Sequence, residues 1–397
     1  MTTVSGSPPS RRARQVVELL VAVLLSPGSA AGEVVDQSVA IPASAQVTQL
    51  VQSSALVPVE NRNPVGGGAA DLDGNGTLDV LVMHRLPEEL PLLLLNDGQG
   101  HLTDAPTGHL PVLEAGETFT AALVDLDNDG ARDVYVGRRS HDAVWLNDGQ
   151  GVFHDAPATW LPEGWGGTTA LASGDLTGDG RPDLIVVQSG AVRVLENVFG
   201  NALREVTSEL LPQPLEGVHC VLLFDADGDG DLDLMTAGAE TLQCFLNERP
   251  RMRALAPRHN PQRQPVTGLA TGDLDGDGLP EVVMSRRGQP LVWRNRGNTQ
   301  FVSQPGLIRA PGFANGIVLA DVNGDHRPDV ILPMTGPNAL IVNPGTKGQW
   351  RLQPGWLPSD NEASRLAFVG DFNGDGLPDL YVANDGQDCL YLQVSKP

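Results

Sequence analysis

Sulfur, aromatic rings and positive charge are all scarce in this chain of 397 residues. Its three cysteines, Cys220, Cys244 and Cys389, are too few and odd in number for a disulfide framework, so buried free thiols are expected. Aromatic residues make up 5% of the sequence, and tryptophan recurs in register only at Trp160 and Trp356, each before a Leu-Pro pair. A lectin with an aromatic sugar platform in every repeat would need more, and blade packing explains those two equally well. Lysine and arginine number 26 against 49 acids, a formal charge of −23, which leaves no basic surface for nucleic acid. Beyond residue 31 no apolar run approaches the roughly 18 residues of a transmembrane helix.

Glycine (46) and proline (31) are plentiful, which suits many short strands joined by tight turns. The acids are concentrated. The stretch DADGDGDLD, Asp225 to Asp233, has six relatives, and the seven loops begin at Asp71, Asp125, Asp175, Asp225, Asp273, Asp321 and Asp371. Their intervals are 54, 50, 50, 48, 48 and 50 residues, the size of a four-stranded propeller blade. The loops hold 25 of the 49 acids. Acids at positions 1, 3, 5 and 9, with a glycine at 6 free to take positive φ, wrap about six or seven oxygens around a hard cation once the position 7 carbonyl and water are added. That number suits Ca²⁺ better than Mg²⁺, and up to seven structural Ca²⁺ ions would bring the charge to about −9.

Loop two (Asp125, Asp127, Asp129, Asp133) and loop four (Asp225, Asp227, Asp229, Asp233) carry the full acidic set, and loop five (Asp273, Asp275, Asp277, Glu281) ends on a longer arm. Loop one (Asp71, Asp73, Asn75, Asp79) and loop seven (Asp371, Asn373, Asp375, Asp379) each exchange one acid for a neutral oxygen, which lowers affinity. Loop three (Asp175, Thr177, Asp179, Asp183) has a hydroxyl at position 3. Loop six (Asp321, Asn323, Asp325, Asp329) places His326 where positive φ is needed, at some cost in strain. Without an ion, four like charges in one turn repel by about 1 kcal/mol per pair even at water's dielectric constant. An EF-hand is excluded because the last acid stands at position 9 and β-type residues follow it.

Each repeat reads as four strands. In the second, these are Phe119 to Val124, Val134 to Val136, Ala143 to Leu146 and Val152 to Ala156, with the metal loop between the first two. An amide ends the third strand in every copy: Asn96, Asn147, Asn197, Asn247, Asn295, Asn343 and Gln393. In two copies it opens an Asn-Asp-Gly turn, which suggests a hairpin to the fourth strand. The last repeat stops after its third strand, Leu390 to Gln393, while Gln46 to Pro58 resembles a fourth. The expected fold is all-β: a seven-bladed β-propeller of four-stranded antiparallel blades over residues 45–397, the ring closed by the N-terminal strand. Residues 1–31 read as a signal peptide, with Arg11, Arg12 and Arg14 before an apolar run and Ser29-Ala30-Ala31 for cleavage. Residues 32–44 read as a linker, and the expected location is secreted, periplasmic or cell surface, where calcium is abundant.

Repeats such as LASGDLTGDGRPDLIVV (Leu171 to Val187) and LATGDLDGDGLPEVV (Leu269 to Val283) resemble the FG-GAP or VCBS-type repeat in its bacterial form. The resemblance implies a propeller like the head of integrin α subunits, with calcium held at positions 1, 3, 5 and 9 and by the carbonyl at 7. It also implies binding, adhesion or assembly more often than catalysis. No nucleophile elbow, zinc-ligand pair or large insertion is present, so a non-catalytic module for a protein or glycan is the leading expectation. A carbohydrate-active enzyme of polysaccharide lyase type, or a lectin, is the alternative on the same scaffold. The partner is expected on the face away from the metal loops, where Arg85, Arg138, Arg139, Arg286 and Arg287 end second strands and form a positive patch.

Overall fold

The computed structural model describes residues 20–23, 32–33, 47–52 and 63–395, the last span interrupted at 87, 115, 260–265, 287, 298–299, 346–347, 355 and 358–362. It is a ring of seven antiparallel sheets with four principal strands each. In blade two the strands are Thr118–Val124, Asp133–Arg138, Ala143–Asn147 and Phe153–Asp155, each paired with the next. The first strand lies innermost. Its side chains are almost all buried, whereas only Phe153 of the outermost strand is buried and His154 and Asp155 face solvent. This gradient explains why strands one and two read as continuous apolar runs and strand four as a polar one.

Inner strands converge on the ring axis and must be small. At Gly66 a Cβ would come within 2.2 Å of the backbone nitrogen of Ala121 in the next blade, so only glycine permits the approach. Farther out, the core lies between neighbouring blades: Ala122 and Tyr135 of blade two pack with Leu171 and Val186 of blade three, and Phe368 and Tyr381 of blade seven with Val80 and Leu94 of blade one. Trp160 belongs to the first of these clusters, and Trp356 packs against the cluster between blades six and seven, the packing role expected for both.

Blade seven contains Ser364–Gly370, Asp379–Asn384 and Cys389–Ser395, and its fourth strand is Val47–Gln52. The pairing of Leu50 with Gln393 and Val51 with Leu392 joins the two ends of the chain, as the sequence predicted. Of the expected leader and linker, only Leu20–Val23 and Gly32–Glu33 fall among the described residues. They form two short strands, the first paired along the inner strand Thr168–Gly174 of blade three. Cys220 and Cys244 sit on the first and third strands of blade four, and all three cysteines are buried as thiols, outside any disulfide. Among the described residues no helix is long and apolar enough to cross a membrane.

Candidate metal centres on the blade hairpins

Every DxDxDG-type loop joins the first strand of a blade to the second, and its backbone makes two left-handed steps. Position 6 takes positive φ as expected, including His326 at 64°. Position 4 does so too: Asn128 in loop two has φ 62°, and glycine fills the place in the other six. The turn thereby aims successive N–H groups inward at the position 1 carboxylate. In loop four Asp225 Oδ1 accepts from Gly228 N at 2.7 Å and Asp229 N at 3.2 Å, while Oδ2 accepts from Gly230 N at 2.9 Å. Loop six keeps this wrap despite its histidine, with Asp321 accepting from Gly324, Asp325 and His326.

The position 9 acid has a second task that spacing alone did not reveal. One of its oxygens fastens the loop and the other fastens the third strand. Asp133 Oδ2 accepts from Leu126 N at 2.8 Å, and Oδ1 accepts from Asn147 N at 2.8 Å. Glu281 does the same with its longer arm, through Leu274 N at 2.9 Å and Asn295 N at 3.3 Å. Such burial is costly for a charge. Desolvation pushes the Asp133, Asp233, Glu281, Asp329 and Asp379 carboxyls up to about 7, and Asp79 and Asp183 to about 6, against the N–H bonds that pull them down.

The amide that ends each third strand is the companion of this acid, and its role is larger than the turn the sequence suggested. Its side-chain nitrogen reaches into the preceding blade and donates to the carbonyl at position 2 of that blade's metal loop. Asn147 donates to Leu72 O, Asn197 to Leu126 O and Asn247 to Leu176 O, at 2.7 to 2.9 Å. Asn295, Asn343 and Gln393 reach Ala226, Leu274 and Val322, and Asn96 reaches Phe372 across the closure. All seven junctions are clasped, so each loop is tied to its own blade and to the next.

The donor sets differ in how far they gather. Ligand atoms of Asp71, Asp73 and Asp79, of Asp125, Asp127 and Asp133, of Asp225, Asp227 and Asp229, and of Asp273, Asp275 and Glu281 come within 4.8 Å of one another. All-oxygen sets of this kind fit a hard divalent cation. Burial first, then the neighbouring carboxylates, raises Asp127 and Asp227 above the usual range. Loops three, six and seven carry Thr177, Asn323 and Asn373 at position 3, and among the described residues they assemble no such acidic trio. Thr177 Oγ1 is nevertheless buried without a hydrogen-bond partner, a free oxygen at the position where the other loops offer a ligand. In loops three and six an arginine at position 7 pairs with the position 5 acid: Arg181 with Asp179 and Arg327 with Asp325.

The arginines expected as a surface patch divide into two kinds. Arg85 and Arg139 lie on the predicted face, both near Glu117, with guanidinium carbons 5.6 and 5.4 Å from the ring centre of Phe119. Arg138 and Arg286 are 4% and 1% exposed, which corrects their assignment to the surface. They end second strands that are buried along their whole length, a position where charge in the sequence does not report exposure. Arg287 lies outside the described residues.

Family models agree with the repeat. The FG-GAP-like repeat matches residues 71–136, 125–186, 175–236, 225–284 and 273–332, and the FG-GAP repeat matches 364–394, so the chain belongs to the FG-GAP repeat family. No curated protein matches the chain. Among solved structures it is similar to a lectin of Agrocybe aegerita, described as recognising non-reducing terminal N-acetylglucosamine. That match has 17% identity, 94% of this chain and 96% of the other covered, and a TM-score of 0.56. A second similar structure is BBS1N in complex with ARL6DN, at 11% identity, with 94% and 97% covered and a TM-score of 0.54. At these identities both likenesses speak to the fold.

Proposed function

We propose that this FG-GAP repeat propeller is a secreted, calcium-stabilised, non-catalytic binding module whose ligand is a protein or a glycan. The observation that carries the reading is the convergence, in four loops at the same place in their blades, of three acidic groups within 4.8 Å. Calcium would supply positive charge to carboxylates that burial and mutual repulsion otherwise disfavour. The chain's own residues do the rest. Positions 1, 3, 5 and 9 present oxygens, the left-handed steps at 4 and 6 hold the turn, and the amide clasp passes the loop's order to the next blade. Binding would thus rigidify the ring and fix the surface it offers.

The acids of the metal loops are engaged by backbone N–H groups and, in loops three, five and six, by arginines, an arrangement suited to holding an ion rather than to turnover. The lectin reading draws support from the propeller of the Agrocybe aegerita lectin and from a cavity in blade two. A panel of glycans and surface proteins, screened with calcium and with chelator, tests the proposal. Calcium-dependent capture of one ligand class is expected. Turnover of a polysaccharide without stoichiometric binding would favour the enzyme reading. Cell fractionation tests secretion: protein outside the cytoplasm and shortened at its amino end is expected, and full-length protein confined to the cytoplasm contradicts it.

A further inference from the structure

Blade two carries a cavity of about 490 Å³ between its outer strands and the connection 156–165 to blade three, on the side away from the metal loops. Its volume lies within the range of small-molecule sites. Arg138 lines it, only 4% exposed. The guanidinium donates through Nη2 to the Glu114 carbonyl, while Nε is buried without a partner. Nearby Asp142 does not answer that charge. Its Oδ1 accepts from the Arg138 backbone N–H at 2.7 Å, and its Oδ2 accepts from the Tyr135 and Thr168 hydroxyls. Tyr381 and Asp388 repeat the Tyr-Asp contact in blade seven at 2.7 Å, which marks that part of the arrangement as scaffold. The arginine is not repeated there, since Asn384 takes its place.

A buried guanidinium can only donate, and its geometry matches a carboxylate better than any neutral acceptor. Buried charges in proteins are paired, and among the described residues no ion pair neutralises Arg138. The remaining walls describe the rest of the ligand. Trp160 and Trp165 give the cavity apolar surface, and the exposed side chains of Glu114, Asp155 and Glu163 line it as acceptors. Acceptors of this kind suit a ligand rich in hydroxyl donors, and their charge disfavours a second negative group. Arg286 occupies the same place in blade five and is more deeply buried, with Nε donating to Gln289 O at 2.7 Å and Nη1 likewise without a partner; what sets Arg138 apart is the cavity, since none of the described cavities reaches Arg286.

We infer that the blade-two cavity binds one carboxylate-bearing sugar residue, with the carboxylate on Arg138, the ring against Trp160 and Trp165, and hydroxyls donating to the acids. The inference rests on the glycan branch of the function proposed above. It is tested by following tryptophan fluorescence of the calcium-loaded full chain during titration with D-glucuronate and, separately, with D-glucose. Saturable glucuronate binding is expected, with glucose weaker by about tenfold or more. Arg138→Gln should weaken glucuronate binding by at least as much while the melting transition persists. Ala158→Trp, which fills the cavity from an exposed lining position, should abolish binding and decides the matter if Arg138→Gln does not fold. Equal binding of both sugars, lost in Ala158→Trp, would overturn the carboxylate assignment and leave glycan recognition standing. Unchanged glucuronate binding in folded Ala158→Trp, or no saturable response to glucuronate, would overturn the site itself. Only capture of a protein, and of no glycan, in the wider panel would remove the underlying glycan reading.

Discussion

At the scale of single residues, the position 9 acid joins stability to protonation. In the metal-free fold these carboxyls stand at about 6 to 7, above the ordinary 3.8, because burial penalises their charge. A carboxyl whose folded value is raised stabilises the fold below its unfolded value, and that contribution is lost as pH rises through the folded value. The melting temperature in excess chelator should therefore fall between pH 5 and pH 8, and the rise produced by added calcium should grow over the same interval, since the ligands must be ionised to bind. Thermal scans at both pH values, with and without calcium, check this, and a chelated protein that becomes more stable toward pH 8 contradicts it. The loops should also differ. Asp229 belongs to a gathered acidic set, whereas Thr177 lies in a loop whose Asp179 already pairs with Arg181. Asp229→Ala should accordingly lose more calcium-induced stabilisation than Thr177→Ala, and equal losses by calorimetric titration would mean the sets are equivalent.

At the scale of elements, the hairpin and the clasp work as one device. Loop spacing, strand order, ring closure by Val47–Gln52 and the left-handed histidine were all legible in the sequence, because each depends on residues close in the chain or on a repeated pattern. The clasp was only half legible. An amide stands at the same place in every copy, but its partner lies about seventy residues earlier in another blade, and no local pattern points there. The burial of Arg138 and Arg286 was hidden for a similar reason, since a charge ending a strand looks exposed until the neighbouring connection covers it. Replacing Asn197 with alanine would leave the buried Leu126 carbonyl without its donor and should cost about 1 to 3 kcal/mol. Asn201→Ala, at an exposed position, should be neutral; equal urea midpoints for the two variants would deny the clasp its role. Deleting residues 46–58 should open blade seven and cause aggregation or unfolding, because the edge of Cys389–Ser395 is then unpaired. A soluble monomer with an unchanged melting transition would show that the closure is dispensable.

At the scale of the whole molecule, the ring is a closed cycle of similar junctions, each sharing a metal loop, a buried position 9 acid and an amide clasp. Much of the formal charge of −23 belongs to these loops, and in four of them three acids gather within 4.8 Å, so the acidity is concentrated rather than spread over the surface. The largest apolar cluster of the described residues runs through blades one to five, from Val65 and Ala121 through Ala170 and Val221 to Val266. Smaller clusters lie between neighbouring blades, and disorder in one hairpin should pass through the clasp to the blade after it, whose amide loses its acceptor. The claim that calcium holds this ring is tested most directly by the melting temperature of the intact protein at pH 7.5 in excess chelator and after calcium is restored. The account predicts a marked fall with chelator and recovery with calcium; a melting curve that is the same in both would contradict it.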